Sequence, residues 1–353
     1  MPLLARMLAA PLAIDVRSGA ISGLGTLLAD RRIALEGRVA VAVGPGQGEA
    51  IAAELNIGSA VLFRVPDGSH DAAVALGKDL RAGNYEAVAG IGGGKTIDVT
   101  KFAAHMAGIP MVSVATSLAH DGIASPISTL AHESGNGSYG VVPPVAVVVD
   151  LDRVRRAPNG LATAGIGDVI SNLSAIADWQ LSNVDTGEPI DGLAVAMARS
   201  AAHAVLNQPG LASCDGFLTV LAEALILSGM AMAVAGSSRP SSGGDHEIMH
   251  AINQLFPGTA SHGELAGIGA LFCGYLREDQ QQFAALSSCL QRHGLPRLPE
   301  QVGLSAEQFT SAVSRAPQTR PGRYTILERL AMSPAQVAHR VEDYVSAVGA
   351  IAG

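Results

Sequence analysis

Charged side chains are scarce in this chain. Only 15% of its 353 residues are Asp, Glu, Lys or Arg, against about 25% in ordinary soluble domains, while 48% are hydrophobic. That balance, carried mostly by Ala, Val, Leu and Ile, predicts extensive burial, including a subunit interface of a homo-oligomer built from dimers. Positive charge is in deficit: 23 Lys and Arg face 31 Asp and Glu, a net charge of −8. A nucleic-acid or anionic-membrane surface needs a basic patch, so neither partner is expected. Cysteine is almost absent. Cys214, Cys273 and Cys289 are odd in number, widely spaced and without a C-x-x-C pair, which reads as reduced thiols of a soluble cytoplasmic protein. No apolar run approaches about 18 residues uninterrupted by Gly, Pro or charge, so no membrane span is expected. The apolar N-terminus is broken by Arg6 and Pro11 and passes into the strand-like PLAIDV, unlike a secretory signal. There is no internal repeat and no low-complexity segment.

What is present divides at about residue 155. Up to there, short β-branched runs alternate with helical segments: RVAVAV (38–43) before Gln47–Asn56, AVLFRV (60–65) before a helix capped by Ser69, and AVAGI (87–91) before Lys95–Ala107, then MVSV (111–114) and VAVVV (145–149). Continuous apolar strands separated by helices indicate a parallel, Rossmann-like sheet covered on both faces. Ligands in such folds bind at the strand C-terminal ends. Beyond RVRRAPNG (153–160) the texture turns helical and Ala-rich, with segments at 167–183, 191–206, 217–235, 245–255, 264–278 and 335–351. The expected architecture is an α/β domain over 1–155 followed by an all-helical domain over 156–353.

Three motifs carry chemistry. In GIGGGKTIDVTK (90–101) a strand ends in three glycines and a helix starts. Backbone N–H groups freed of side chains, at the positive end of a helix dipole, suit a phosphate, although the spacing is neither G-x-G-x-x-G nor a Walker loop. A tight βα turn that merely needs glycine is the plainer alternative. Asp98, one turn into the helix, would order the loop or hold substrate. The second motif, VSVATSLAHDGIASP (112–126), places Thr116, Ser117, His120, Asp121 and Ser125 at another strand end, where cofactor and substrate should meet.

The third is split between AGIGDVISN (164–172), with Asp168 expected in the first turn of a helix, and GSSRPSSGGDHEIMHAINQLFPGTASHGE (236–264). His246 and His250 share a helix face, and His262 follows a Pro-Gly break. One carboxylate and two imidazoles, with positions left for substrate and water, form a catalytic arrangement for Zn²⁺ or Fe²⁺. On chemistry alone His250 is as good a ligand as His246.

These motifs, GIGGGKTIDVTK, TSLAHDGIASP, GIGDVISN, SSRPSSGGDHEIMH and SHGE, together with RPGRYTILE (320–328), resemble in order and spacing the glycerol-1-phosphate dehydrogenases. These belong to the wider group of iron-containing alcohol dehydrogenases, glycerol dehydrogenases and dehydroquinate synthases. The resemblance spans nearly the whole chain. It implies a dehydroquinate synthase-like fold and reversible hydride transfer between NAD(P)H and C2 of dihydroxyacetone phosphate, giving sn-glycerol 1-phosphate for phospholipid metabolism. By the same resemblance Gly92, Gly93, Gly94, Lys95 and Thr96 hold the pyrophosphate of NAD or NADP. Thr116, Ser117, Leu118, Ala119 and Ser125 line the cofactor. Asp168, His246 and His262 bind the metal, and Asp121, Asp168 and His250 meet the substrate, with Asp121 or His250 delivering the proton. Where the metal-dependent alcohol dehydrogenases often carry a His four residues after the Asp, this chain has Asn172, which points to Zn²⁺ over Fe²⁺. Arg239 is the nominee for the substrate phosphate. Competing readings are a dehydrogenase of an unphosphorylated polyol, a sugar-phosphate cyclase and a catalytically silent nucleotide binder.

Overall fold

The computed structural model describes residues 10–55, 60–133 and 135–351; Arg6, Asn56 and the start of the N-terminal apolar run lie outside them. The chain forms two compact units, 1–161 and 162–353.

Unit 1 is built on a six-stranded sheet of β1 (Ala13–Arg17), β2 (Val39–Val43), β3 (Val61–Arg64), β4 (Ala87–Gly92), β5 (Met111–Ala115) and, after a hairpin, β8 (Ala146–Asp150). Its order is β1-β8-β5-β4-β2-β3, and every pairing is parallel. The four central strands are buried along their whole length, as expected of a parallel sheet covered on both faces. Val39, Val41, Val43, Ala89, Ile91, Val112, Val114 and Val148 lie on one face of it and pack in a single core with Leu24 and Ile51. These last two come from α1 (Leu24–Leu28) and α2 (Gln47–Glu54); α3 (His70–Ala82), α4 (Gly94–Ala107) and the short α5 (Leu151–Arg156) complete the helices. Ser69 caps α3 as expected, accepting from the Ala72 N–H at 3.1 Å. The antiparallel hairpin of β6 (Ile127–His132) and β7 (Gly135–Gly140) was not anticipated; β7 is polar and Gly-rich, and neither strand carries a regular hydrophobic alternation.

From α6 (Asn159–Thr186) onward the chain is helical: α7 (Gly192–Asn207), α8 (Asp215–Ala235), α9 (Gly244–Leu255), α10 (His262–Leu276), α11 (Gln280–Arg292), α12 (Ala306–Arg315), α13 (Ile326–Leu330) and α14 (Pro334–Ile351). Helices α11, α12 and the short α13 are additions to the expected set. By length and composition two helices among the described residues could cross a membrane, α6 and α8, but both are mostly buried in the protein. Their apolar length serves the core of unit 2, where Ile176, Trp179, Ala198 and Ala231 cluster.

Candidate active site

In unit 1 the first two motifs converge at adjacent strand ends. The Thr116 N–H donates to Gly92 O at 3.0 Å, extending the β4–β5 pairing past both strands. Gly93 is the N-cap of α4, and no side chain caps the helix, so its first N–H groups are left for a ligand. Gly94 cannot be replaced freely: a Cβ there would lie 2.2 Å from His120 Nε2. His120 is itself fixed, accepting from the Gly122 N–H through Nδ1 at 3.0 Å. Lys95 is exposed, Thr96 is buried under Gly92, and Thr116, Ser117 and Leu118 are buried beside Ala119. Asp121 opens a 3-10 turn, Asp121–Ile123, and its carbonyl accepts from the Ala124 and Ser125 N–H groups.

Asp98 orders the loop. Its Oδ2 accepts from the Thr129 N–H at 3.2 Å, and its Oδ1 faces Lys101 Nζ at 3.0 Å. Lys101 is fully buried and donates to the carbonyls of Gly122 at 2.7 Å, Ser125 at 3.2 Å and Ile127. One ammonium thus ties together three points of the 122–127 segment. The Ser125 hydroxyl, 1% exposed as a residue, turns to Ile127 O. The sequence reading passed over Lys101 because a lysine on a helix normally faces solvent.

In unit 2 the third motif closes into a cluster. Ligand atoms of Asp168, His246 and His262 all lie within 4.8 Å of one another. Asp168 Oδ1 is 3.0 Å from His262 Nε2 and 3.8 Å from His246 Nε2, and the two imidazole nitrogens are 3.3 Å apart. A tetrahedral ion bound at about 2.0–2.1 Å holds its ligand atoms roughly 3.3 Å apart, so these residues fit a divalent metal. The donor chemistry fits too, and His262 is partly open to solvent, leaving room for further ligands. His250 is outside the cluster: its Nε2 accepts from Arg320 Nη2 at 2.9 Å. Since arginine only donates, the His250 proton sits on Nδ1. Burial, with the Arg320 cation second, pushes the pKa of this ring down to about 2, so it is neutral at physiological pH.

Backbone contacts set the cluster. Asp168 does not open a helix; it lies in the third turn of α6, which begins at Asn159. Gly167, a poor helix residue by propensity, is a point where α6 meets α10. A Cβ on Gly263 would fall 1.7 Å from Ala164 O, and one on Gly167 would fall 2.2 Å from Gly263 O. At the other end of that contact Ser261 and Glu264 form a capping box that starts α10 at His262.

Around the cluster is a buried polar frame that sequence reasoning missed. Asp245 Oδ2 binds His246 Nδ1 while its Oδ1 accepts from the Gly243 N–H at 3.1 Å. Asp178 accepts from the Gly244 N–H and the Ile326 N–H, each at 2.8 Å, and pairs with Arg277 at 2.5 Å. Glu247 holds Thr325 Oγ1 at 3.1 Å, and burial, reinforced by Glu328 and Asp178, pushes its carboxyl up to about 9. Burial opposes charge on Asp168 and His246 as well, but here the partners win. The two histidines hold Asp168 well below the usual carboxylate range, and Asp245 and Asp168 raise His246 to about 9. Asn172, one turn past Asp168, is fully buried and engages Ser228 Oγ at 3.0 Å and Ala198 O at 3.4 Å. It is spent on packing.

Arg239 is a correction. Its guanidinium pairs with Glu188, Nε to Oε1 at 2.8 Å and Nη2 to Oε2, and donates to Tyr324 O at 3.0 Å. With its charge neutralised and its fork filled, it is a strut within unit 2, and the nomination is withdrawn.

Residues 15–158 match the family model of iron-containing alcohol dehydrogenases. A glycerol-1-phosphate dehydrogenase [NAD(P)+] of Thermofilum pendens is 42% identical over 246 residues, 69% of this chain and 70% of its own. Its counterpart in Methanospirillum hungatei is 39% identical over 241 residues, covering 68% and 67%. The chain belongs to the glycerol-1-phosphate dehydrogenase family. Among solved structures, a probable glycerol dehydrogenase from Sinorhizobium meliloti superposes with a TM-score of 0.80 over 98% of this chain and 100% of its own, at 20% identity. Glycerol dehydrogenase from Schizosaccharomyces pombe gives 0.75, over 98% and 92%, at 19%. At such identity these show the fold, which this family shares with the glycerol dehydrogenases.

Proposed function

We propose that this member of the family is a metal-dependent oxidoreductase that passes hydride reversibly between NAD(P)H and C2 of dihydroxyacetone phosphate, giving sn-glycerol 1-phosphate. The observation that carries the reading is the triad of Asp168, His246 and His262, at tetrahedral spacing, in a chain 35–42% identical to dehydrogenases named for that product. A divalent ion held there supplies Lewis-acid polarisation of a ketone, and a nicotinamide supplies the hydride. The chain's own residues hold and orient. Gly92 to Thr96 take the cofactor pyrophosphate at the uncapped start of α4, and Thr116 to Ala119 with Ser125 line the nicotinamide half. Asp168 has a second part near the substrate hydroxyl. His250, neutral and with Nδ1 as its donor, positions substrate by a hydrogen bond and is a poor acid, so proton delivery falls to Asp121. Zn²⁺ is favoured over Fe²⁺ because Asn172, where a fourth protein ligand would stand, is committed to Ser228.

A cytoplasmic homo-oligomer built from dimers completes the proposal; Val61 and Leu62, exposed on the edge strand β3, are apolar surface such an assembly would cover. Following NAD(P)H absorbance with dihydroxyacetone phosphate and with dihydroxyacetone tests the reaction. Turnover of the phosphorylated ketone at far higher kcat/KM is expected, and turnover of dihydroxyacetone alone would assign the chain to unphosphorylated polyols.

A further inference from the structure

Two arginines near His250, Arg320 and Arg323, pair with no carboxylate among the described residues. Arg320 and Arg323 bracket the turn Arg-Pro-Gly-Arg, in which the Arg323 N–H donates to Arg320 O at 3.1 Å and Gly322 has φ 87°. Proline at the second position and a positive-φ glycine at the third are the requirements of a type II turn, and that turn brings the two side chains together. Both reach the same hydroxyl: Arg320 Nη1 is 3.1 Å and Arg323 Nη2 is 3.0 Å from Ser238 Oγ. Two guanidinium groups on one oxygen lie within roughly 6 Å of each other. Arg323 also donates to Ser242 O, and Arg320 to His250 Nε2.

Arg239 and Arg277, in the same unit, are each neutralised by a carboxylate. Among the described residues no carboxylate comes within the 4.0 Å of an ion pair to Arg320 or Arg323. Asp245 is committed to His246 and the Gly243 N–H, and Glu247 holds Thr325. Burial first, and mutual repulsion next, lower the affinity of Arg323 for its proton to about 10. Paired, partly buried cations without a counter-charge are costly in the folded protein, which makes them informative about what binds there.

We infer that Arg320 and Arg323, joined through Ser238, form the subsite that recognises the phosphate dianion of the substrate, with His250 bridging it to the metal triad. The inference rests on the proposed function for the nature of the rest of the ligand. It deepens that reading by moving phosphate recognition from Arg239 to the 320–323 turn. Spacing supports it. His250 stands one helical turn after His246, roughly 5–6 Å along α9, comparable with the reach from the ketone of a three-carbon phosphoester to its phosphorus. Arginine forks suit a tetrahedral oxyanion better than lysine does.

The test has a binding arm and a kinetic arm, run on the full-length protein and on Arg320→Gln, Arg323→Gln and Arg323→Lys. Inorganic phosphate should raise the unfolding temperature of the parent, and this increment should vanish in both Gln variants. Without phosphate, the Gln variants should unfold at the parent's temperature or above it, since a repulsive pair has been relieved. With substrates, the Gln variants should lose at least 100-fold in kcat/KM for dihydroxyacetone phosphate, mostly through KM. The loss on dihydroxyacetone, which lacks the phosphate, should be at least tenfold smaller than the loss on the phosphoester, and the Lys variant should fall between. No stabilisation of the parent by phosphate, equal losses on both ketones, or a lowered unfolding temperature with unchanged KM for the phosphoester would each overturn the assignment. If the parent reduces neither ketone, the proposed reaction fails, while phosphate binding still decides the subsite.

Discussion

The Asp245 carboxylate turns back onto Nδ1 of its neighbour His246, which leaves Nε2 as the ring nitrogen facing Asp168. A carboxylate behind a metal-binding imidazole fixes its tautomer and raises its basicity, and losing such a partner typically costs about 10–100-fold in metal affinity. Asp245→Asn, which keeps the shape of the buried side chain, should therefore weaken zinc binding by that range in competition with a chromophoric chelator. Affinity equal to the parent's would show that the contact only serves the N-terminus of α9.

Metal uptake should be tied to pH. Without metal, His246 keeps its proton up to about pH 9 because Asp245 and Asp168 face it. Its pKa is raised above the unfolded value of about 6.5. The stabilisation from that imidazolium is therefore complete below about pH 6.5 and is lost as pH rises through 9. A metal must displace the proton, so binding near neutrality should release close to one proton from His246, and affinity should climb steeply with pH until about 9. Calorimetry in buffers of different ionisation enthalpy reads this directly; a buffer-independent heat at pH 7 would contradict it.

At the glycine run, Gly94→Ala should act on cofactor alone. The added methyl meets His120 Nε2, and moving that ring disturbs the 116–122 segment proposed to line the cofactor. The expectation is at least a 10-fold rise in NAD(P)H dissociation constant by fluorescence titration, with zinc content unchanged. A parallel loss of zinc would mean that the substitution disrupts more than unit 1's loop.

Gly263→Ala should be severe. The new Cβ would overlap the Ala164 carbonyl, backbone against backbone, where neither partner can rotate away. Overpacking of a well-packed site costs about 1–3 kcal/mol and occasionally more, and separating α6 from α10 also pulls His262 from Asp168. Denaturant unfolding should show a loss at or above the top of that range, together with lost zinc. Parent-like stability would place the two helices farther apart than described.

Much of the fold could be read directly because it depends on local pattern. The apolar strands 39–43, 87–92 and 111–115 are buried on both faces and therefore read as unbroken hydrophobic runs, and the helical half follows from its Ala-rich periodicity. The hairpin 127–140 was invisible because its residues are largely polar or glycine and its support comes from distant residues, Asp98 and Lys101 of α4 and the Gly68 carbonyl. Asp168 was set in the wrong turn because the glycines just before it are poor helix residues by propensity, and the close approach of α10 explains Gly167. The clustering of Asp168, His246 and His262 was legible from motif order. Asp178 and Arg277 were not, since nothing local marks a residue whose partner is 66 or 99 positions away. Arg239 stands in sequence among the site motifs as a free cation, yet Glu188, 51 positions upstream, takes its charge.

The glycine contact between α6 and α10 has one more consequence. Because main chain meets main chain there, no side-chain volume enters the spacing between Asp168 and His262. Substitutions elsewhere in the helical core can accumulate, enlarging or shrinking individual residues, without changing the gauge of the site. Members of this family should therefore diverge freely in the packing of unit 2 while the coordination geometry stays constant, so long as Gly167 and Gly263 remain without side chains.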